Sequence, residues 1–470
     1  MKLSADSRKR LLLLTVGIVP LTNLLVYAWV SANLVISRDQ WRFLPMVEDW
    51  FEGRFALISL WLTHSQHRIP AYKVLFLLDA RFFGLNMRLE VMLGTALLAL
   101  AVFHMLKRFM DTAPEGIPRR RLLLGSALIA LLGFSLNQWA SLIYGLGALN
   151  GFGRIAFFVE FWLLLDICLR REASVFAIIG VCTLLVFTLI AWAGGHGPAF
   201  LLASLTTIAL VILQTGWGQR QLRWLAISLL VSGVAAECVY WLVGPIPAAQ
   251  GALSGFLQAV ATHPRRAVEY VLMALCNSAI PVAGMEHHGW PHALTLIIGA
   301  GIAMIYLAAI ILFVHRRCWR SSCMPLFLMG YGLFVICSIF AARFTSEGMA
   351  NAVAPRYVLD TQLGLIGCCW SLFLWVDDCS SARFLLRPAA LLPVMFAAVL
   401  LLEGLDSGML WIHNREQRKM FADAVEEVRS GDFEAQDWIC PDEALCRTGT
   451  AFMRRARLNI FRGAAGRTSD

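Results

Sequence analysis

The chain has 470 residues, 59% hydrophobic and only 15% charged, with a formal net charge of +9. Soluble domains carry about 25% charged residues, so this composition excludes an ordinary water-soluble enzyme. The positive charge sits in short clusters between long apolar runs, the pattern that sets membrane orientation, and does not mark a nucleic-acid-binding surface.

In chain order, the first apolar run is Leu11–Ile36, preceded by Lys2, Arg8, Lys9 and Arg10. It is longer than the about 7–15-residue apolar region of a secretory signal, and no small-residue cleavage site follows. It therefore reads as a retained span with a cytoplasmic N-terminus. Hydropathy predicts further spans over Leu89–Leu106, Leu122–Leu136, Gly151–Leu169, Ala173–Trp192, Ala199–Leu213, Leu225–Val243, Ala293–Val314, Pro325–Ala341, Val358–Trp375 and Leu386–Leu402. Val268–Gly284 is also apolar, but a span there would put His315, Arg316, Arg317 and Arg320 outside, against the positive-inside rule. The expected fold is an all-α, polytopic transmembrane helical bundle of about 11 spans in a bacterial inner membrane, with a periplasmic C-terminus.

That topology divides the chain into a transmembrane module, 1–402, with external loops 37–88 and 244–291, and an external C-terminal segment, 403–470. The cytoplasmic loops are too short for a soluble catalytic domain, so chemistry is expected in the membrane or on its outer face, and no nucleotide-sugar site is expected. In the tail, Met420–Val428 has the pattern of an amphipathic helix. Ten of the twelve cysteines lie in or near spans, where they act as small apolar residues. Cys440 and Cys446 lie close together outside, where a structural disulfide is expected in an oxidising periplasm.

The segment after the first span is the most informative. It opens with Asp39. Phe43, Val47, Trp50, Phe51, Ile58 and Trp61 then recur at near-helical spacing, with Glu48, Asp49 and Glu52 opposite. This predicts an interfacial helix lying on the bilayer. It ends in His64, His67 and Arg68, polar groups able to turn back toward Asp39. A first span, an acid just beyond it, membrane-parallel helices in the first external loop and an external C-terminal part together resemble the GT-C superfamily of integral membrane glycosyltransferases. Those enzymes commonly carry two adjacent acids in this loop, where the present chain has Asp39 followed by Gln40.

The resemblance implies transfer of a sugar from a polyprenyl-phosphate-linked donor to a lipid or glycan acceptor, with membrane lipids as the other partners. It also implies Asp39 as the catalytic base. Such chemistry needs a carboxylate to take the acceptor's proton and cations to receive the departing phosphate. Arg356, supported by Arg343 and Tyr357, is the expected phosphate contact. His64, His67 and Arg68 are expected to bind donor phosphate or orient Asp39, and Arg265 is a further external phosphate candidate. No cofactor and no metal are expected. His64 with His67, and the tract Glu286, His287, His288 and His292, lack a complete ligand set of regular spacing.

The main alternative, a transporter or flippase for a lipid-linked saccharide, would rest on the intramembrane acids Glu160 and Glu237 and on an internal repeat of spans. Glu160 has Arg154 as a neighbour able to pair with it. The sequence has no ATP-binding loop, no H-E-x-x-H and no G-x-S-x-G. Gly145, Gly147, Gly151 and Gly153 look like a phosphate loop, but they flank a span and so read as close helix packing.

Overall fold

The computed structural model describes residues 5–63, 67–170, 174–216, 219–244, 257–258, 260–282, 285, 289–375, 388–431, 433 and 439–462. The regular structure among them is helical. Helix α1 (Ala5–Ser31) leads into a 3-10 turn, Arg38–Phe43, and the short helices α2 (Leu44–Phe51), α3 (Ile58–Trp61) and α4 (Pro70–Leu78). The long helices α5 (Met87–Asp111) and α6 (Arg119–Gly133) follow, then the four-residue α7 (Trp139–Leu142). Next come α8 (Gly153–Arg170), α9 (Val175–Phe187), α10 (Gly197–Thr215) and α11 (Arg220–Leu242). The last six are α12 (Pro264–Asn277), α13 (His292–His315), α14 (Met324–Glu347), α15 (Val358–Trp375), α16 (Pro388–Ser430) and α17 (Glu443–Ala456).

Nine helices among the described residues are long and apolar enough to cross a membrane. They are α5, α6 with its continuation to Leu142, α9 extended to Trp192, α10, α11, α13, α14, α15 and the Phe396–Ser430 part of α16. In α1 the apolar stretch Val16–Ser31 is shorter. Helix α8 carries Arg154, Glu160, Asp166 and Arg170 within 18 residues. At 14 residues, α12 is below the about 20 needed to span a bilayer. It lies against α13 and α14.

The long helices alternate in direction, so the arginine clusters gather at one end of the bundle. Lys107 and Arg108 end α5, Arg119–Arg121 open α6, Arg170 ends α8, Arg220 and Arg223 open α11, and Arg316 follows α13. There the buried Asp166 accepts from Arg108 Nε at 2.8 Å, Ser322 Oγ at 3.0 Å and the Cys323 amide at 2.6 Å. One carboxylate thus ties α5 and α8 to the turn before α14.

The opposite end is irregular. It contains α7, the turns Gly348–Val353 and Pro355–Tyr357, and three π-helical turns, Asp79–Phe83, Gly147–Phe152 and Thr188–Trp192. Such turns are frequent at functional sites because they re-aim side chains without ending a helix. The glycines read as packing positions mostly are so. A Cβ at Gly145 would overlap Glu90 Oε2, one at Gly153 would overlap the Trp192 ring, and one at Gly147 would lie 3.1 Å from the Ser141 backbone. Gly151 has nothing within 4 Å and is not explained this way.

Beyond this end lies a second hydrophobic core, in which the first loop and the tail meet. Trp41, Phe43, Leu44, Val47 and Phe76 pack with Ala424, Val428, Ile439, Phe452 and Met453. The sequence pattern gave one helix from Phe43 to Trp61. The structure instead breaks it at Gly53, whose φ of +73° ends α2 and favours glycine. The apolar side of α2 turns into this protein core, and its acids Glu48 and Glu52 pair with Arg455 of α17 at 2.6 and 3.1 Å. The boundary expected at 402/403 is likewise not a break. Helix α16 runs through it for 43 residues, about 65 Å, and carries Met420–Val428 as its last turns. Polar contacts bind α16 to α1: Asn23 Nδ2 to Ser407 Oγ at 3.0 Å, Trp411 Nε1 to Asn23 Oδ1 at 2.9 Å, and Asn414 Nδ2 to Ser31 Oγ at 2.6 Å. Cys440 and Cys446 form the expected disulfide.

Candidate functional site

Asp39 sits in the second position of the Arg38–Phe43 turn, its side chain 42% exposed and 3.9 Å from Arg42 Nε. Arg38 before it holds a left-handed backbone, φ 53°. This conformation costs a non-glycine residue about 1–2 kcal/mol and persists only where the surroundings enforce it. Here the Arg38 amide donates to the Ile439 carbonyl at 2.9 Å, and the Trp41 indole N–H donates to the same carbonyl at 2.8 Å. The tail therefore clamps the turn that presents Asp39.

Behind Asp39 lies a buried polar network. Gln40 Nε2 donates to Tyr72 Oη at 2.8 Å and to Glu90 Oε2 at 3.1 Å, and the Tyr72 hydroxyl donates to the same Glu90 oxygen at 2.8 Å. Burial, and then the Glu90 charge, push the Tyr72 phenol well above its ordinary pKa. The buried Tyr144 phenol is raised likewise, by burial and then by the Asp39 charge. An acid at position 40 would crowd a second carboxylate against Glu90, which disfavours ionisation of both. The glutamine that departs from the paired-acid pattern is the residue this pocket accepts.

A second cluster occupies the same end of the bundle. Arg154, in the first turn of α8, makes two bonds to Asp360 of α15, at 2.8 and 2.7 Å, and the Tyr331 hydroxyl donates to Asp360 Oδ1 at 2.5 Å. All three residues are buried. His196 Nδ1 lies 3.9 Å from Asp360, and its ring is 6.2 Å from that of Tyr357. His67 approaches from the first loop beside Gly194. Arg356 is exposed, stacks at 4.9 Å over Tyr357 and donates to Asn351 Oδ1 at 2.9 Å. Asn277, Asn351, Tyr357 and Thr361 line a small cavity of about 10 Å³, room for about one water, between α12, α14 and α15. The segment Ser135–Gly145 joins the two clusters: Tyr144 faces Asp39, and α7 packs on the Pro355–Tyr357 turn.

The other expected site residues are dispersed. Arg68 is buried, and its guanidinium donates to the carbonyls of Trp61 (3.1 Å), Tyr240, Val243 (2.8 Å) and Gly244 (2.7 Å), between the Trp61 and Tyr240 rings. It caps the carbonyl end of α11, a use that leaves its donors to main chain. Arg265 is exposed and pairs with Glu269 of its own helix at 2.9 Å. Arg343 is half-buried one turn before the end of α14. His64, Glu286, His287 and His288 lie outside the described residues. Among the described residues, no three His, Cys, Asp or Glu side chains converge as metal ligands.

The sequence reading missed Asp360, His196 and Tyr331, and gave Arg154 the wrong partner. Glu160 pairs with His104 instead, and Glu237 accepts from Trp241 Nε1 at 2.7 Å. The available signal was that an arginine and an aspartate each sit just inside a span, where an unpaired charge is costly. Nothing in the spacing says that residues 206 positions apart are partners. No protein-family model matches the chain, and neither does any curated protein.

Proposed function

We propose that this chain is an integral membrane glycosyltransferase of the GT-C type. It moves a sugar from a polyprenyl-phosphate-linked donor to a lipid or glycan acceptor at the periplasmic face of a bacterial inner membrane. In this reading α1 and α8 join the nine apolar helices to give eleven spans, with the arginine-rich end cytoplasmic by the positive-inside rule. The charges of α8 fit such a span because Arg154 and Asp166 are paired within the bundle.

The observation that carries the reading is the presentation of Asp39. A half-exposed carboxylate stands on a strained backbone, clamped by the tail and backed by a buried network, at the end of the bundle that also bears Arg356, Tyr357 and His67. In the proposed step the acceptor hydroxyl oxygen bonds to the anomeric carbon as the bond from that carbon to the donor phosphate oxygen breaks. The phosphate leaves with the electron pair and Asp39 takes the hydroxyl proton. Arg356, stacked on Tyr357, receives the developing phosphate charge. Asp360, which accepts from both Arg154 and Tyr331, fixes the start of α15 beside His196.

The test is sugar transfer by purified protein in lipid with labelled polyprenyl-phosphate sugars. Wild type is expected to transfer, and Asp39→Asn to lose at least about a hundredfold in rate, the lower range of a general base, with donor binding kept. Equal transfer by both proteins would remove Asp39 from the reaction, and no transfer with any donor would end the enzyme reading.

A further inference from the structure

Two acids at the start of α5 lie inside the protein. Asp79, in the π-helical turn after α4, is 5% exposed, and Glu90, in the first turn of α5, is 1% exposed. The chain folds back between them. The Leu85 amide donates to the Asp79 carbonyl at 3.3 Å, the Asn86 amide donates to Asp79 Oδ1 at 3.1 Å, and Glu90 follows Asn86 by one helical turn. This fold-back brings the two carboxyl groups within hydrogen-bond reach of each other. Ionised carboxylates only accept, so a bond between them needs a hydrogen on one of the two.

The partners of the remaining oxygens fix how many hydrogens there are. Glu90 Oε2 accepts from Gln40 at 3.1 Å and from Tyr72 at 2.8 Å, and Asp79 Oδ1 accepts from Asn86. Each acid keeps one oxygen without a partner, Oε1 of Glu90 and Oδ2 of Asp79. With no hydrogen, two like charges face each other and both oxygens stay open, at about 1–3 kcal/mol each. With two, the second would need an acceptor among oxygens already taken by Gln40, Tyr72 and Asn86. One hydrogen gives both acids the missing bond. The groups around the pair do not replace it. Tyr72 and Gln40 are committed to Oε2, Tyr144 stands near Asp39 as well as Glu90, and Arg462 is exposed, bonded to the Phe83 carbonyl, and acts on Asp79 only through its charge. The effect reaches Asp39 through Gln40, whose Oε1 accepts from the Ser37 amide at 3.4 Å while its Nε2 donates to Glu90. One side chain thus fastens the Arg38–Phe43 turn to α5.

We infer that Asp79 and Glu90 share one proton, and that Glu90 in this state is the positioning residue for Asp39. The role rests on the glycosyltransferase reading, whereas the shared proton does not. Infrared spectra of the purified protein at neutral pH read the proton directly. In Glu90→Gln and in Asp79→Asn an amide N–H takes the place of the shared hydrogen, and the acid that remains ionises. Subtracting either variant from wild type should therefore leave the same single carboxylic-acid carbonyl band, shifted in heavy water. Two different bands, or none, would overturn the shared proton. In the transfer assay Glu90→Leu, which offers Gln40 no acceptor, should lose about tenfold in rate with donor affinity kept. Glu90→Gln restores the acceptor and should recover that loss. It should also hold its rate towards about pH 9, where buried glutamates ionise and wild type declines. Full activity in Glu90→Leu, or a Glu90→Gln rate that declines with pH as wild type does, would overturn the positioning role. The same infrared band in a protein without transfer activity would keep the shared proton and discard the transferase reading.

Discussion

The indole nitrogen of Trp41 lies 2.8 Å from the main-chain carbonyl oxygen of Ile439. This bond, with the parallel one from the Arg38 amide, makes the geometry of Asp39 depend on a segment some 400 residues away in the chain. Ile439 immediately precedes Cys440, so the Cys440–Cys446 disulfide sits next to the clamp. In the loop-entropy description, a ring this small contributes about 2 kcal/mol. Replacing both cysteines with serine should loosen the tail and, through Ile439, the Arg38–Trp41 turn. Hydrogen exchange should then quicken at the amides of Arg38 and Gln40 while those of α5 and α15 stay unchanged. Unaltered exchange at Arg38 would mean that the clamp holds without the disulfide.

The Arg154–Asp360 pair is buried, with one guanidinium nitrogen of Arg154 bonded to both carboxylate oxygens. Removing one partner of such a pair leaves an uncompensated charge and costs about 3–5 kcal/mol. Asp360→Asn should therefore lower stability strongly in detergent. Adding Arg154→Gln should recover a large part of that loss, since two neutral amides leave no buried charge. A double mutant as unstable as the sum of the singles would show that the two residues are not coupled.

Arg68 is used as a fork whose donors meet four carbonyls. Lysine keeps the charge but offers no planar array. Arg68→Lys should lower stability by about 2 kcal/mol and shift Trp61 fluorescence to the red as its indole loses the cation and the Val243 carbonyl contact. Donor affinity measured at full folding should be unchanged. A loss of affinity without loss of stability would return Arg68 to the phosphate.

Position 40 can be tested by charge. Gln40→Glu would set a second carboxylate 3.1 Å from Glu90 Oε2, where glutamine now donates. The variant should come nearest to wild type at the lowest pH and fall behind as pH rises, because two adjacent carboxylates resist ionising together. The measurement is Tm across pH 4 to 8, and parallel curves would contradict the network.

Asp79 gives a pH dependence of defined sign. Burial is the main cause lifting its carboxyl from 3.8 to about 6, only partly offset by the bond from the Asn86 amide. Between these values the folded protein keeps a proton that the unfolded chain has released. Stability from this group is thus fully present below about pH 4 and lost as pH rises through about 6. Asp79→Asn keeps an acceptor for Asn86 and does not ionise. It should exceed wild type at pH 7 by about 1–3 kcal/mol and match it at pH 4, read from unfolding curves at the two pH values.

The bundle was legible in the sequence because a bilayer imposes a one-dimensional rule. A helix must be apolar for about 20 residues whatever its neighbours are, so the runs from Leu89 to Val358 could be located without knowing how they pack. Asp39 and the Cys440–Cys446 pair were legible for similar reasons: one is a charge at a span end, the other two cysteines six apart. What tertiary structure decided is everything that depends on who stands opposite. It broke the Phe43–Trp61 pattern at Gly53 and buried its apolar side against the tail, where α17 brings Arg455 to both Glu48 and Glu52. It spent Arg68 on the carbonyl end of α11 and paired Arg154 with Asp360 in place of Glu160. Local pattern reports which residues cannot face lipid. Only the packing of distant helices decides which of those residues satisfy one another.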